Sequence, residues 1–581
     1  MKKLFYLLCF LHLQTFVFAQ TNLFITNPIV DKVLKGQYNP DDFKQGTVIK
    51  DKQSIVNGLF NKVSNDSFMS YLVQLSSFYN RNTSSDTVSE FTGIGAARRW
   101  AYHKFQTFSQ LQQNRLQVSY FQFDQVIGGM PQHRNILAVL PGSDTSDKSL
   151  VIVEAHIDSR CEGVNDTSCI ANGMEDNGSG TGLVLELARV MSAYTFKRSI
   201  VFMLLIGEEQ GLNGSTAFAL YCKNNSIPIR AVQNNDIVGG IICGKTASPP
   251  GCPGENNIDS INVRIFSAGT NLSAPKSLAR FLKLEYQEEL MPLLPVKPII
   301  NIMNAEDRTG RGGDHIPFRQ QGYSSVRMTS ANEHGDANPI PTYTDRQHSV
   351  RDILGKDINH DGVIDSFYVD MDYLKRNTLI NGNSIAMAAN GPDMADIDLI
   401  NDGNGLTVKV NKAKQYDHYR IGFRTHSNDF DTLINIDHSL ELKTYHVRKD
   451  SIYYVSIASV DAEGIESIFS TEKFVKVLGV PAAGIKTDPA NEKAIQLFAA
   501  YPNPADETTT ISVIVNRPVD HKEAYILLTD INGKETGRLK MELRQHINEV
   551  IYEHGFHAKG IIFCSLIIDG RIFDTGKLVF R

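Results

Sequence analysis

Val201-Phe202-Met203-Leu204-Leu205-Ile206-Gly207-Glu208-Glu209 is an unbroken apolar run that ends, after one glycine, on two adjacent carboxylates. Six apolar residues without alternation fit a buried strand, and such a strand delivers the next residues of the chain to the edge of its sheet. Two other runs end alike: Val151-Ile152-Val153-Glu154-Ala155 leads into His156-Ile157-Asp158, and a third segment carries Asp236. Three strand ends therefore converge on metal-ligand residue types. That is the expected layout of a site at the carboxyl edge of an open α/β sheet.

The chain has 581 residues, 42% hydrophobic and 21% charged, an ordinary globular composition. At roughly 150 residues per domain it divides into three or four units. Met1-Lys2-Lys3, an apolar stretch from Leu4 to Phe18 and the small residue Ala19 predict a secretory signal peptide over residues 1–19. The stretch is short and interrupted by His12, Gln14 and Thr15, so the mature chain is expected to carry no transmembrane segment. Without the signal, 56 basic side chains face 64 acidic ones, a net charge of −8, and nothing favours nucleic acid as a partner. Cys161/Cys169 and Cys243/Cys252 each close a short loop and are disulfide candidates, whereas Cys222 and Cys564 are expected to stay free.

Residues 20–115 read as a helical, loop-rich segment with a helix near Gly95 to Phe108, and residues 116–395 alternate strands and helices. Gly178-Ser179-Gly180-Thr181-Gly182 opens a helix with Leu183, Leu187, Val190 and Met191 on one face. The fold class is thus α/β, with a mixed, largely parallel sheet flanked by helices over residues 20–395. Short alternating runs over 396–479 predict a small β-sandwich, residues 480–494 have the composition of a linker, and 495–581 form another all-β module.

The chemistry gathers in five pieces. Asp158 lies two residues beyond His156 and so on the same side of an extended segment, where it can orient the imidazole of a metal-bound His156. Asp176, before the Gly-rich turn, has two oxygens with which to bridge two cations. Neighbouring side chains at a strand end point in different directions, which makes Glu209 a ligand and Glu208 a general base on a metal-acidified water. Asp236 is a further ligand candidate; His348 is the last, with His315, His334 and His360 competing for its role.

The ordered set His156-x-Asp158, Asp176-Asn177-Gly178-Ser179-Gly180, Gly207-Glu208-Glu209-x-Gly211-Leu212-x-Gly214-Ser215, Asn235-Asp236 and Gly313-Asp314-His315-x-Pro317-Phe318 resembles the co-catalytic di-zinc exopeptidases typified by bacterial leucyl aminopeptidase. Glutaminyl cyclases and glutamate carboxypeptidases belong to the same clan. The resemblance implies two Zn²⁺: His156 and Asp236 on one, Glu209 and His348 on the other, Asp176 between them. His348 is preferred to His334 because Asp352 follows it at the family's distance, although Gln347-His348-Ser349 departs from the usual Tyr-His-Thr. The implied substrates are peptides with a free N-terminus. A glutaminyl cyclase, a carboxypeptidase of the clan and a catalytically silent binding protein are the alternatives.

Asp357, Asn359, Asp361 and Asp365 match the first nine positions of a calcium loop, with Tyr368 where the closing glutamate would stand. The 396–479 module resembles fibronectin type III. Ala500-Tyr501-Pro502-Asn503-Pro504, the run Ile526 to Lys534 and terminal Gly576 to Arg581 are similar to the sorting domain of type IX secretion. That likeness implies passage through the periplasm, contact with the type IX machinery and a secreted or surface-attached product.

Overall fold

The computed structural model describes residues 20–580 except 50, 245–249, 309–310, 332–345, 402–404, 412–415, 426, 438–439, 445–446, 448–451, 477–494, 506–507, 519 and 555–559. The expected signal peptide, the linker at 480–494 and His334 lie outside the described residues.

Nine strands form one sheet: β1 Thr21–Ile25, β2 Gln117–Ile127, β3 Met130–Leu140, β4 Leu150–His156, β5 Ile200–Leu205, β6 Ile229–Asn235, β7 Asn262–Ser267, β8 Ile299–Ile302 and β9 Ser325–Ser330. Their spatial order is β1-β2-β3-β5-β4-β6-β9-β7-β8. The central ladders β5/β4, β4/β6 and β6/β9 are parallel, as is β7/β8 at one edge, while β1/β2, β2/β3, β3/β5 and β9/β7 are antiparallel. Every residue of β4 and β5 is buried, which is why β5 is a continuous apolar run and β4 a nearly continuous one, broken by Glu154 before it ends on His156.

Helices cover both faces. α1 (Gly93–Leu111) sets Tyr102 against Tyr120 of β2, ring centroids 4.5 Å apart, while α3 (Asn213–Asn224) packs Phe218 on Phe121, the next residue, on the opposite face. α2 (Gly180–Met191) and α4 (Met371–Asn390) pack on each other and on β4. The segment before residue 116 also contributes β1, an edge strand that the sequence reading did not separate. Five residues with a single ladder and mostly solvent-facing side chains carry little periodic signal.

Among the described residues beyond 395 the regular structure is all β. Strands Asp396–Asn401, Leu406–Asn411 and Glu441–Thr444 form a three-stranded sheet, facing a four-stranded one of Thr432–Asp437, His418–Arg424, Ile452–Val460 and Lys473–Lys476. Ile397, Val408, Ile421 and Ile457 fill the space between them. Residues 495–580 repeat the three-plus-four arrangement around Ile511, Val513, Ile526 and Leu566. Cys161–Cys169 and Cys243–Cys252 are disulfide-bonded, and Cys222 and Cys564 are free and buried. No helix among the described residues is long and apolar enough to cross a membrane.

Candidate metal centre

Because β5, β4 and β6 are parallel neighbours, their carboxyl ends open on one edge. His156 is the last residue of β4, Asp236 follows β6, and Glu208 and Glu209 follow β5 after a turn at Gly207, whose φ of +74° favours glycine. Asp176 arrives from a wide turn ahead of α2. Gly180 lets that helix start press on β6, since a Cβ there would stand 2.2 Å from the Asn235 carbonyl oxygen. The turn is held from both sides. Asn177 Nδ2 donates to the Asn235 carbonyl at 2.8 Å, and the carboxylate of Asp352 accepts the Glu175 and Asp176 N–H groups at 2.8 and 3.0 Å. Arg81, fully buried, ties the two ligand loops together by donating to the carbonyls of Ile157 and Gly173, each at 2.9 Å.

Two sets of donors result, sharing one carboxylate. His156 Nε2 lies 3.2 Å from Asp176 Oδ1 and 3.4 Å from Asp236 Oδ1; His348 Nε2 lies 2.9 Å from Asp176 Oδ2 and 3.2 Å from Glu209 Oε2. Within each set the ligand atoms fall within 4.8 Å of one another. Glu208 Oε2 stands 4.0 Å from His156 Nε2. His156 Nε2, Asp236 Oδ1 and Glu209 Oε1 are buried and make no hydrogen bond. Buried polar atoms are normally satisfied, so this donor set fits divalent cations among its imidazoles and carboxylates.

The surroundings hold the donors in place. His156 Nδ1 faces Asp158, 3.0 Å from its carbonyl oxygen and 3.5 Å from its Oδ1, and Thr83 Oγ1 donates to Asp158 Oδ2 at 3.1 Å. Arg327, 1% exposed, donates to Asp307 and pairs with Asp236 Oδ2 at 3.0 Å, while Gln347 Nε2 donates to Asp176 Oδ2 at 2.8 Å. Burial opposes charge on His156, yet Glu208, Asp158, Asp176 and Asp236 together push its pKa well above the usual value. Burial, reinforced by Asp236, Glu209 and Asp314, pushes the Glu208 carboxyl well above the carboxylate range, with His156 offsetting only part of the shift. Backbone strain also gathers here: His348 has φ +56° and the β-branched Ile237, next to Asp236, has φ +61°.

The structure brings His156, Asp158, Asp176, Glu208, Glu209, Asp236 and His348 into one neighbourhood. It places two of the competing histidines, His315 and His360, elsewhere. His315 is buried against the Glu306 carbonyl, and His360 sits on an exposed loop. On that loop the Asp357 carboxylate accepts the Asp361 and Gly362 N–H groups, and Asp365 Oδ2 accepts those of Ile358 and Asn359. Asp357, Asn359, Asp361 and Asp365 are not among the converging donor sets found in the described residues. The sequence reading missed Arg81, Thr83, Arg160, Arg311, Arg327 and Gln347. One signal was present for Arg160, which follows His156 and Asp158 at the same two-residue period.

A family model described as peptidase family M28 matches residues 135–241, which carry His156, Asp176, Glu208, Glu209 and Asp236 and end before His348. A Phaeosphaeria nodorum protein named as a probable zinc metalloprotease is 30% identical over 361 residues, covering 58% of this chain and 69% of that one. Another of that name, from Pyrenophora tritici-repentis, is 32% identical over 289 residues, covering 47% and 65%. Among solved structures, the LapA aminopeptidase of Legionella pneumophila aligns with a TM-score of 0.43 and 18% identity, covering 60% of this chain and 77% of that one.

Proposed function

The chain belongs to peptidase family M28 as a zinc metallopeptidase, and from that premise we propose that it is an exported aminopeptidase holding two zinc ions, which removes N-terminal residues from peptides. The observation that carries the reading is the pair of donor sets sharing Asp176. His156 and Asp236 would hold one ion, Glu209 and His348 the other, and Asp176 both. When bound, zinc supplies Lewis acidity that brings the pKa of a coordinated water towards neutrality and polarises a carbonyl.

The chain's own residues do the rest. Glu208 is the proton carrier: its carboxylate borders the same cavity as the ligands, and its raised pKa suits a base that takes a proton and later returns it to the leaving amine. Asp158 fixes the ring of His156 so that Nε2 faces Asp176 and Asp236, Gln347 steadies Asp176, and Arg327 steadies Asp236. The signal-like segment 1–19 and the motifs of 495–581 support export by a type IX route, and the three-plus-four strand arrangement of 396–476 supports the fibronectin type III likeness. Calcium at Asp357, Asn359, Asp361 and Asp365 rests on the sequence pattern alone.

The test is release of p-nitroaniline from aminoacyl-p-nitroanilides alongside the metal content of the purified chain. Wild type should hold two zinc ions and lose activity to a chelator. Glu208→Gln should keep the metal and lose about 10²- to 10⁴-fold in kcat. A Glu208→Gln protein as active as wild type sinks the mechanism.

A further inference from the structure

We propose that Thr83 is a positioning residue that holds both metal positions and the Glu208 turn in register through one hydroxyl; the inference rests on reading the site as a two-zinc peptidase. Thr83 is 1% exposed and lies ahead of α1, in neither a strand nor a helix. Its Oγ1 accepts the Gly207 N–H at 2.8 Å and donates to Asp158 Oδ2 at 3.1 Å. The same carboxylate oxygen accepts the Glu209 N–H at 3.3 Å. Glu208 thus stands between two tethered peptide groups, Gly207 tied to Thr83 and Glu209 to Asp158, while Thr83 and Asp158 are tied to each other.

The polarity of this ring of bonds is fixed. A peptide N–H can only donate, so the single hydroxyl proton of Thr83 goes to Asp158. Asp158 in turn faces His156 Nδ1, 3.0 Å from its carbonyl oxygen and 3.5 Å from its Oδ1. One carboxylate therefore sets the ring of His156 on one metal position and the backbone of Glu209 on the other. Gly207 is held at its other end too, since its carbonyl accepts the Asn213 N–H at 2.8 Å. The segment that delivers Thr83 is itself anchored. Asn80, Arg81 and Asn82 are buried outside the sheet and the helices, where polar groups must find partners among the loops. Asn80 Nδ2 donates to the Cys169 carbonyl and Asn82 Nδ2 to the Val164 carbonyl, each at 2.8 Å, and Arg81 to those of Ile157 and Gly173. These bonds fasten the segment to the ligand loops, and Thr83 carries the connection to the carboxylate that orients the donors.

Thr83→Ser keeps the hydroxyl and Thr83→Ala removes it. The two variants differ by one oxygen atom, so comparing them separates the hydrogen bonds from side-chain bulk. Zinc titration of the metal-free full chain against a competing chelator should find both positions weakened in Thr83→Ala, by about 10-fold each, and restored in Thr83→Ser. At saturating zinc, Thr83→Ala should lose about 10-fold in kcat on aminoacyl-p-nitroanilides with KM unchanged, because Glu208 rides on the loosened turn. Zinc affinities that Thr83→Ala leaves unchanged, or lowers at one position alone, overturn the inference, and so does an unchanged kcat. An equal loss in Thr83→Ser, or a Thr83→Ala chain that no longer folds, makes the role one of general structure and overturns it as well. If wild type cleaves none of these substrates, the peptidase reading fails, and the zinc titration alone decides the role of Thr83.

Discussion

Replacing Arg327 with methionine should weaken one metal position and spare the other. The Arg327 guanidinium is 1% exposed and bridges Asp236 Oδ2 at 3.0 Å and Asp307 Oδ1 at 2.7 Å, so its loss leaves two buried carboxylates facing each other. At 3.0 Å and an effective dielectric constant of about 20 the lost attraction is about 5 kcal/mol, and measured losses for broken buried pairs run at about 3–5 kcal/mol. Urea unfolding of the metal-free Arg327→Met protein at neutral pH should show that loss, reduced in mild acid where the stranded carboxylates take up protons. Zinc titration against a competing chelator should resolve the asymmetry. The position built on His156 and Asp236 loses about 10- to 100-fold in affinity because Asp236 is no longer oriented. The position built on Glu209 and His348, where His348 contacts both Asp176 and Glu209, keeps its affinity. Two affinities that fall together, or neither falling, would refute the assignment of Arg327 to Asp236.

Asp176→Asn should empty both positions together, since Asp176 is the only carboxylate shared by the two donor sets; metal analysis that still finds two equivalents per chain would contradict the sharing. Glu285, buried with no hydrogen bond to either carboxylate oxygen, has its pKa raised to about 8 by burial, with Lys52 offsetting part of the shift and Glu466 adding to it. The folded state therefore keeps a proton that the unfolded chain releases from about pH 4.5, so stability falls between there and pH 8. Glu285→Gln should remove a decline on the order of a few kcal/mol across that window, and parallel stability–pH curves for variant and wild type would dismiss the charge as its source. The paired change Cys161→Ser and Cys169→Ser, opening a loop with a sequence separation of 8, should lower stability by about 2–3 kcal/mol in chemical denaturation; no change in the midpoint would mean that the loop is held by its other contacts.

The sheet and most of the residues that converge on its carboxyl edge were legible because their signals are local. A buried strand with both faces covered reads as a near-continuous apolar run, and a charge at its carboxyl end stands at the sheet's edge; β4 ending on His156 and β5 followed by Glu208 and Glu209 are both of this kind. His348 was harder. It sits in no strand or helix, its left-handed backbone has no sequence signature, and three other histidines fit a loop equally well. The arginines were invisible for a different reason: an arginine far along the chain, such as Arg327, acquires its role only when folding sets it against Asp236 and Asp307. β1 escaped because an edge strand lacks the double burial that made β5 obvious.

Such a site pulls against the stability of its own fold. Asp176, Glu208, Glu209 and Asp236 crowd one cavity, Glu154 lies fully buried behind them with neither carboxylate oxygen hydrogen-bonded, and His348 and Ile237 are held at positive φ. Arginines reduce the cost where they can: Arg81 through the carbonyls of the two ligand loops, Arg327 through Asp236. They cannot enter the space between His156, Asp176 and Glu209 without taking the place proposed for the cations. In the proposed reading, donors drawn from positions 156 to 348 would be joined through the ions they share, so metal occupancy should stabilise the whole α/β unit, by about 2.7 kcal/mol when free zinc stands at 100 times its dissociation constant. Each loop supplying a donor gains from that linkage. His348 gains most, because it lies in no strand or helix and its backbone is strained in the left-handed region.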